Sequence, residues 1–233
     1  MKKIVSLLLI LILAFSLCSC GKKKNDSEEG DTAPKSALYQ LNPPSVGDTI
    51  VTIYTSEGDI KAVLYREAAP KAVANFIKLA DSGYYDDLTI HKVIKDFVIQ
   101  MGDPTGKGDG GEAASGKGLA NEFNDFMHNF TGALAMAGGT DGLNHSQFYI
   151  VAGSQMSDEY AAAMKEAGYS QEVIDAYREL GGLPSLDYQY TVFGQVYEGL
   201  DVVKTIASAK ADKYNRPKKD ITIDGVVIST YGN

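Results

Sequence analysis

The only thiols in this 233-residue chain are Cys18 and Cys20, both within its first twenty residues. Everything after them is free of cysteine, so the bulk of the chain has no disulfide, no thiol nucleophile and no thiolate metal site. The three histidines, His91, His128 and His145, lie far apart and lack a ligand-like spacing. Glycine is dense between Gly102 and Gly118, with Gly106, Gly108, Gly110 and Gly111 between them. That stretch lacks the lysine and hydroxyl residue of a phosphate-binding loop and reads as an irregular surface loop. These residues spell out no triad and no metal cluster, so no cofactor is expected. A net charge of −8 argues against a nucleic-acid partner, because no basic face can form without a basic cluster. The one dense basic run, Lys22, Lys23 and Lys24, directly follows the cysteines.

Those cysteines sit in a segment with its own logic. Lys2 and Lys3 precede an apolar run over residues 4–15, too short to span a bilayer comfortably and of signal-peptide dimensions. It ends in Leu17-Cys18-Ser19-Cys20-Gly21, which resembles the lipobox of bacterial lipoproteins, with the aliphatic residue and the small residue placed to make Cys20 the lipidated position. Residues 1–19 are therefore expected to be a removed leader, and the rest an extracytoplasmic chain anchored to a bacterial membrane through a lipid on Cys20. Residues 20–47 read as that cysteine and a flexible tether. Gly21 to Asp31 is polar and without apolar period, and Pro34, Pro43 and Pro44 continue the irregular stretch.

From Asp48 the pattern changes. Residues 49–55 alternate Val51 and Ile53 with threonines and a tyrosine, Glu57-Gly58 supplies a turn, and residues 60–65 form a second strand, which makes a hairpin. Pro70 opens a helix carrying Val73, Phe76, Ile77 and Ala80, and Gly83 ends it. Short strands are expected at 91–94, 98–100, 133–137, 148–151, 191–196 and 221–229, with a second helix at 200–207. Many short strands with two helices suggest a β-barrel or sandwich. Residues 157–182 read as an inserted helical hairpin, capped by Ser157 and Ser170 and stopped by Gly168 and Gly181. Its stripe of Val173, Ile174 and Tyr177, extended by Leu180, is expected to cover the barrel. Phe123, Phe126 and Phe130 are expected as core or loop anchors, and His91 as a buried, hydrogen-bonded histidine.

The run from Ile90 to Asp103, I-H-K-V-I-K-D-F-V-I-Q-M-G-D, resembles the signature of the cyclophilins. Ala135-Met136-Ala137 followed by Ser146-Gln147-Phe148-Tyr149-Ile150 resembles a second family motif, and Leu186-Asp187 with Tyr190-Thr191-Val192-Phe193-Gly194 a third. The likeness spans residues 49–230 with the motifs in family order. It implies a mainly β fold: an eight-stranded antiparallel β-barrel capped by two helices, here with the inserted hairpin, the domain running over 48–233. It also implies peptidyl-prolyl cis–trans isomerisation. By position, Phe97, Val98, Tyr149 and Leu186 would form the proline pocket, Gln100 and Gln147 would hold substrate backbone, Ala137 and Gly138 would contact the residue before proline, and Tyr190 would close the rim. Lys92 takes the place of the family's key arginine, so Lys92, Phe97 and Gln100 are the catalytic candidates.

Such a reaction breaks no bond. The barrier to X–Pro rotation comes from amide resonance, and catalysis consists of gripping the chain and favouring its twisted geometry. A cation beside an apolar slot can stabilise that state. Lysine keeps the charge but loses arginine's planar fork, which implies turnover lower by about one to three orders of magnitude. Gly138 replaces the usual asparagine, and Ser185 stands where many members carry a tryptophan linked to cyclosporin binding, which implies weak inhibition by cyclosporin. Two readings stay open: an isomerase acting on proline-containing segments of exported proteins, as a monomer, or a catalytically weak proline-binding module or holdase chaperone using the same groove.

Overall fold

A computed structural model describes residues 36–233; the leader, Cys20 and the first part of the tether lie outside the described residues. Eight antiparallel strands form one curled sheet in the order β3-β4-β6-β5-β7-β2-β1-β8. The strands are β1 (Thr49–Thr55), β2 (Gly58–Leu64), β3 (Lys92–Val93), β4 (Val98–Met101), β5 (Ala133–Met136), β6 (Phe148–Val151), β7 (Val192–Glu198) and β8 (Ile223–Thr230). The ladder is open between β3 and β8. Residues 87–90 bridge that gap: Asp87 N–H donates to the Ile223 carbonyl and Ile90 N–H to the Ile221 carbonyl.

The two-residue side-chain period of a strand sorts each sequence between two apolar bodies. Val51, Ile53, Ile60, Ala62, Leu64, Ile99, Met101, Leu134, Met136, Phe148, Ile150 and Phe193 point into the barrel. Their neighbours Ile50, Val63, Val98, Ala133, Ala135, Tyr149, Val151 and Val192 make a second cluster on the outer face. The outer cluster is covered by irregular segments rather than by a second sheet, and the site lies in that cover.

Helices α1 (Pro70–Asp81) and α4 (Leu200–Ala207) plug the barrel. Val73, Phe76, Leu79 and Ala80 of α1 enter the inner core, as do Val203, Ile206 and Ala207 of α4, the spacing of one helical face. Pro70 occupies the first turn of α1 as expected. Its free N–H groups are capped from far away by the Glu122 carboxylate, which accepts from Lys71 and Ala72. The insertion forms α2 (Asp158–Glu166) and α3 (Gln171–Leu180), with Ser157 and Ser170 as the N-caps and Gly181 as the C-cap. Val173, Ile174 and Tyr177 pack with Ala161 and Met164 on Phe130. Leu180, by contrast, is exposed and leaves the stripe one turn early.

Three further expectations need correction. Residues 36–47 belong to the fold rather than to the tether. Tyr39–Leu41 form a 3-10 turn, and Gln40 is fully buried. Its side chain donates to the His128 carbonyl and to Gln195 Oε1, and accepts from the His128 N–H at 2.7 Å. Leu38 and Leu41 also pack against the hairpin cluster and Tyr39 against the outer one, and these contacts, like those of Gln40, are made with distant segments and leave no period in this one. His91 is buried as expected, but neither ring nitrogen has a hydrogen-bond partner among the described residues. Of the three phenylalanines, Phe130 is core and Phe126 packs on the outer cluster, whereas Phe123 is exposed.

Candidate active site

The register of three strand pairs lines up four outward-facing residues. Lys92 of β3 lies opposite Gln100 of β4, Gln100 opposite Tyr149 of β6, and Tyr149 opposite Ala135 of β5. Side chains at facing positions are about 5 Å apart, so a cation, an amide and an aromatic ring form one row across the outside of the barrel. The alternate row, Val93, Ile99, Ile150 and Leu134, is the inner wall that holds these strands in place. A slip by one residue would bury the polar row and expose the core, which makes the register non-negotiable.

Apolar residues surround the row. Val98 and Tyr149 are buried in the outer cluster, and Phe97, Ala137, Leu186 and Tyr190 pack against it half-exposed. The structure thus brings all six of these sequence-predicted residues into one patch. Phe97 is presented by the tight turn before β4, where its N–H donates to the Ile94 carbonyl. Leu186 comes from a short 3-10 turn, Pro184–Leu186. Tyr190 meets Tyr149 edge-to-face at 5.7 Å, an arrangement that fixes both rings. Gly138 continues from Ala137 as an exposed lip, and a side chain there would meet only ordinary space, its nearest neighbour 3.9 Å away. Ser185 is exposed beside Leu186.

The two glutamines are locked as a relay. Gln100 Nε2 donates to Gln147 Oε1 at 2.8 Å, and Gln147 Nε2 donates to the Gly110 carbonyl at 2.8 Å. This chain assigns both amide orientations and leaves Gln100 Oε1 for another donor. The glycine-dense loop is therefore part of the site's support as well as surface. It approaches so closely that a Cβ on Gly102, which has φ +89°, would lie 2.5 Å from the Ser146 carbonyl oxygen. Lys92 is half-buried and makes no ion pair or hydrogen bond among the described residues. Its charge is uncompensated beside the apolar recess.

Beneath the recess runs a polar network with no sequence forecast. The Tyr149 hydroxyl donates to Asn129 Oδ1 at 2.7 Å. Burial pushes that phenol well above its usual pKa, so it stays a donor. Asp187, next to Leu186, accepts from the Asn129 N–H at 2.7 Å, from Asn129 Nδ2 at 3.0 Å and from the Tyr177 hydroxyl at 2.8 Å. Tyr169 donates to the same carboxylate at 3.2 Å, and His128 Nδ1 lies 3.1 Å from it. Asp187 was visible as part of a motif; Asn129 carried no signal at all.

With the barrel, the two plugging helices and this outer row in view, the comparisons have a clear meaning. The sequence model of the family described as "Cyclophilin type peptidyl-prolyl cis-trans isomerase/CLD" matches residues 50–228. The chain belongs to the cyclophilin-type peptidyl-prolyl isomerases. This cyclophilin is 40% identical over 190 residues to a protein of Staphylococcus saprophyticus named "Putative peptidyl-prolyl cis-trans isomerase", covering 81% of this chain and 96% of that one. A protein of the same name from Staphylococcus aureus strain USA300 is 39% identical over 180 residues, covering 77% and 91%. Among solved structures, a cyclophilin-type isomerase of Cryptosporidium parvum superposes with a TM-score of 0.63 at 32% identity, covering 78% of this chain and 98% of its own. The same cyclophilin crystallised in the presence of the dipeptide Ala-Pro gives a TM-score of 0.63.

Proposed function

We propose that this cyclophilin accelerates cis–trans isomerisation of X–Pro bonds in polypeptides outside the cytoplasm, held near a membrane by a lipid on Cys20. The in-register row of Lys92, Gln100 and Tyr149 beside an apolar recess is the observation that carries the catalytic part. The proline ring enters between Phe97, Val98, Tyr149 and Leu186, with Tyr190 at the rim. Gln100 and Gln147 hold backbone on one side, and Ala137 and Gly138 receive the residue before proline. The bound chain is then gripped on both sides of an amide whose rotation takes tens to hundreds of seconds unaided.

As the amide twists it loses resonance, the carbonyl oxygen swings and the prolyl nitrogen becomes a hydrogen-bond acceptor. Lys92, an ammonium with no partner among the described residues, stabilises that state electrostatically. Because lysine lacks a planar fork of donors, the stabilisation is smaller than an arginine would supply. No group is transferred and no proton is consumed. The placement outside the cytoplasm rests on the leader and the lipobox-like Leu17-Cys18-Ser19-Cys20.

The lysine also favours a second reading, a module that grips proline-containing segments and turns them over slowly. Following cis-to-trans relaxation of a proline peptide with the full chain in detergent separates the two. Catalysis that Lys92→Ala removes and Lys92→Arg raises by about tenfold supports the isomerase. Acceleration by Lys92→Arg alone supports the binding module, and inactivity of all three sinks the enzymatic reading.

A further inference from the structure

On the β3 side of the site, away from Ala137, a cavity of about 350 Å³ is lined by His91, Lys92, Gln100, Lys107, Gly108 and Arg216, with Tyr214 completing the wall. Three cations thus face one small space in a chain of net charge −8. No carboxylate lines it, although Asp103 acts through its charge on His91 and Asp212 on Arg216. The buried Asp103 accepts from the Thr105, Lys107 and Gly108 N–H groups and from the Thr105 hydroxyl. Asp109 accepts from the Thr105 hydroxyl at 3.1 Å. Asp212 closes its own turn, accepting from the Tyr214 and Arg216 N–H groups at 2.8 and 3.0 Å.

The cavity is built, not incidental. One guanidinium N–H of Arg216 donates to the Lys107 carbonyl at 3.2 Å, tying together two loops 109 residues apart. The rest of its fork, like the ammonium groups of Lys92 and Lys107, makes no ion pair among the described residues. His91 forms the floor at 5% exposure, with both ring nitrogens unpartnered among the described residues. Gly108 packs against the ring edge, where a Cβ would sit 3.6 Å from His91 Nε2. Buried polar groups without partners are rare and call for a functional explanation.

We propose that this cavity is an anion subsite, and that it takes the carboxylate of an Asp or Glu following the proline of a bound polypeptide. The proposal rests on the isomerase reading of the adjacent recess. Residues before the proline run past Ala137 and Gly138 at the end of β5, so the chain leaves the recess toward β3, where Lys92 belongs to both places. Arg216, Lys107 and Lys92 supply the charge, and the buried His91 ring packs beneath them. The preferred substrate is an acidic proline-containing segment.

The test compares three peptides with the full chain in detergent: Gln two residues after the proline, Glu at that position, and Glu two residues before it. The peptide with Glu after the proline is expected to have a kcat/KM about fivefold above the Gln peptide. Glu before the proline gives no gain. Arg216→Gln combined with Lys107→Gln brings the ratio to about one, whereas Lys95→Gln, exposed and outside the cavity, leaves it unchanged. Equal rates for the first two peptides, or a preference that survives the double substitution, overturn the subsite. If no peptide is isomerised, the isomerase reading fails on its own. Dissociation constants from fluorescence anisotropy then make the same comparison: tighter binding of the peptide with Glu after the proline, lost in the double variant, upholds the subsite, and equal binding overturns it.

Discussion

Tyr149 and Asn129 are joined by a 2.7 Å hydrogen bond from phenol to side-chain carbonyl, and through it the recess that would hold proline rests on the inserted hairpin. Asn129 in turn gives both its backbone and its side-chain N–H to Asp187, the carboxylate that also holds Tyr177 of α3. The apolar stripe of the insertion, expected to cover the barrel, packs instead on α2 and Phe130, with no strand residue in its cluster. The insertion supplies two of the phenols, Tyr169 and Tyr177, that fix the acid next to Leu186.

Tyr149→Phe keeps the ring that lines the recess and removes only the hydroxyl. The orphaned Asn129 oxygen is expected to cost about 1–2 kcal/mol of stability, read as a lower urea midpoint. Isomerase kcat/KM should stay within about threefold of the parent, because ring packing is retained.

Asp187→Asn places an amide where donors from Asn129, Tyr177 and Tyr169 converge. We expect a loss of about 3 kcal/mol, with a weaker KM for proline peptides because Leu186 loses its anchor. Circular dichroism melting together with peptide kinetics checks both. An unchanged melting temperature would remove the network from the account of stability.

Gln40→Ala strands the His128 N–H and carbonyl in the interior, since Gln40 is the partner of both. The expected cost is about 2–3 kcal/mol. A chain beginning at Asp48 should be destabilised at least as much, whereas one beginning at Ser36 should not; equilibrium unfolding of the pair decides it.

Burial holds the His91 imidazole below its usual pKa of 6.5; Asp103 opposes this, while Lys92 and Arg216 reinforce it. The unfolded chain therefore takes up a proton at His91 before the folded chain does. The stability this contributes is fully present above pH 6.5 and is lost as pH falls toward the folded value. Unfolding free energy should drop between pH 7.5 and 5.5, and His91→Gln should flatten part of that slope. An identical slope in the variant would show that His91 does not titrate differently on folding.

The strands, both plugging helices and the hairpin caps were legible in the sequence, because each depends on a local rule. Period-two alternation marks β1, Pro70 and the apolar face of α1 mark a helix, and Ser157 and Ser170 mark N-caps. The motif residues Phe97, Val98, Gln100, Gln147, Tyr149, Leu186 and Tyr190 were legible too, through the likeness to the cyclophilins, and the fold brings them together. Only the tertiary structure decided the rest. Gln40 is buried by partners near residues 128 and 195, Asn129 by partners at 149 and 187, and Arg216 reaches a carbonyl at Lys107. A polar side chain leaves no period in its own segment when its partners are supplied by distant ones, so such contacts exist only once the sheet has set its register.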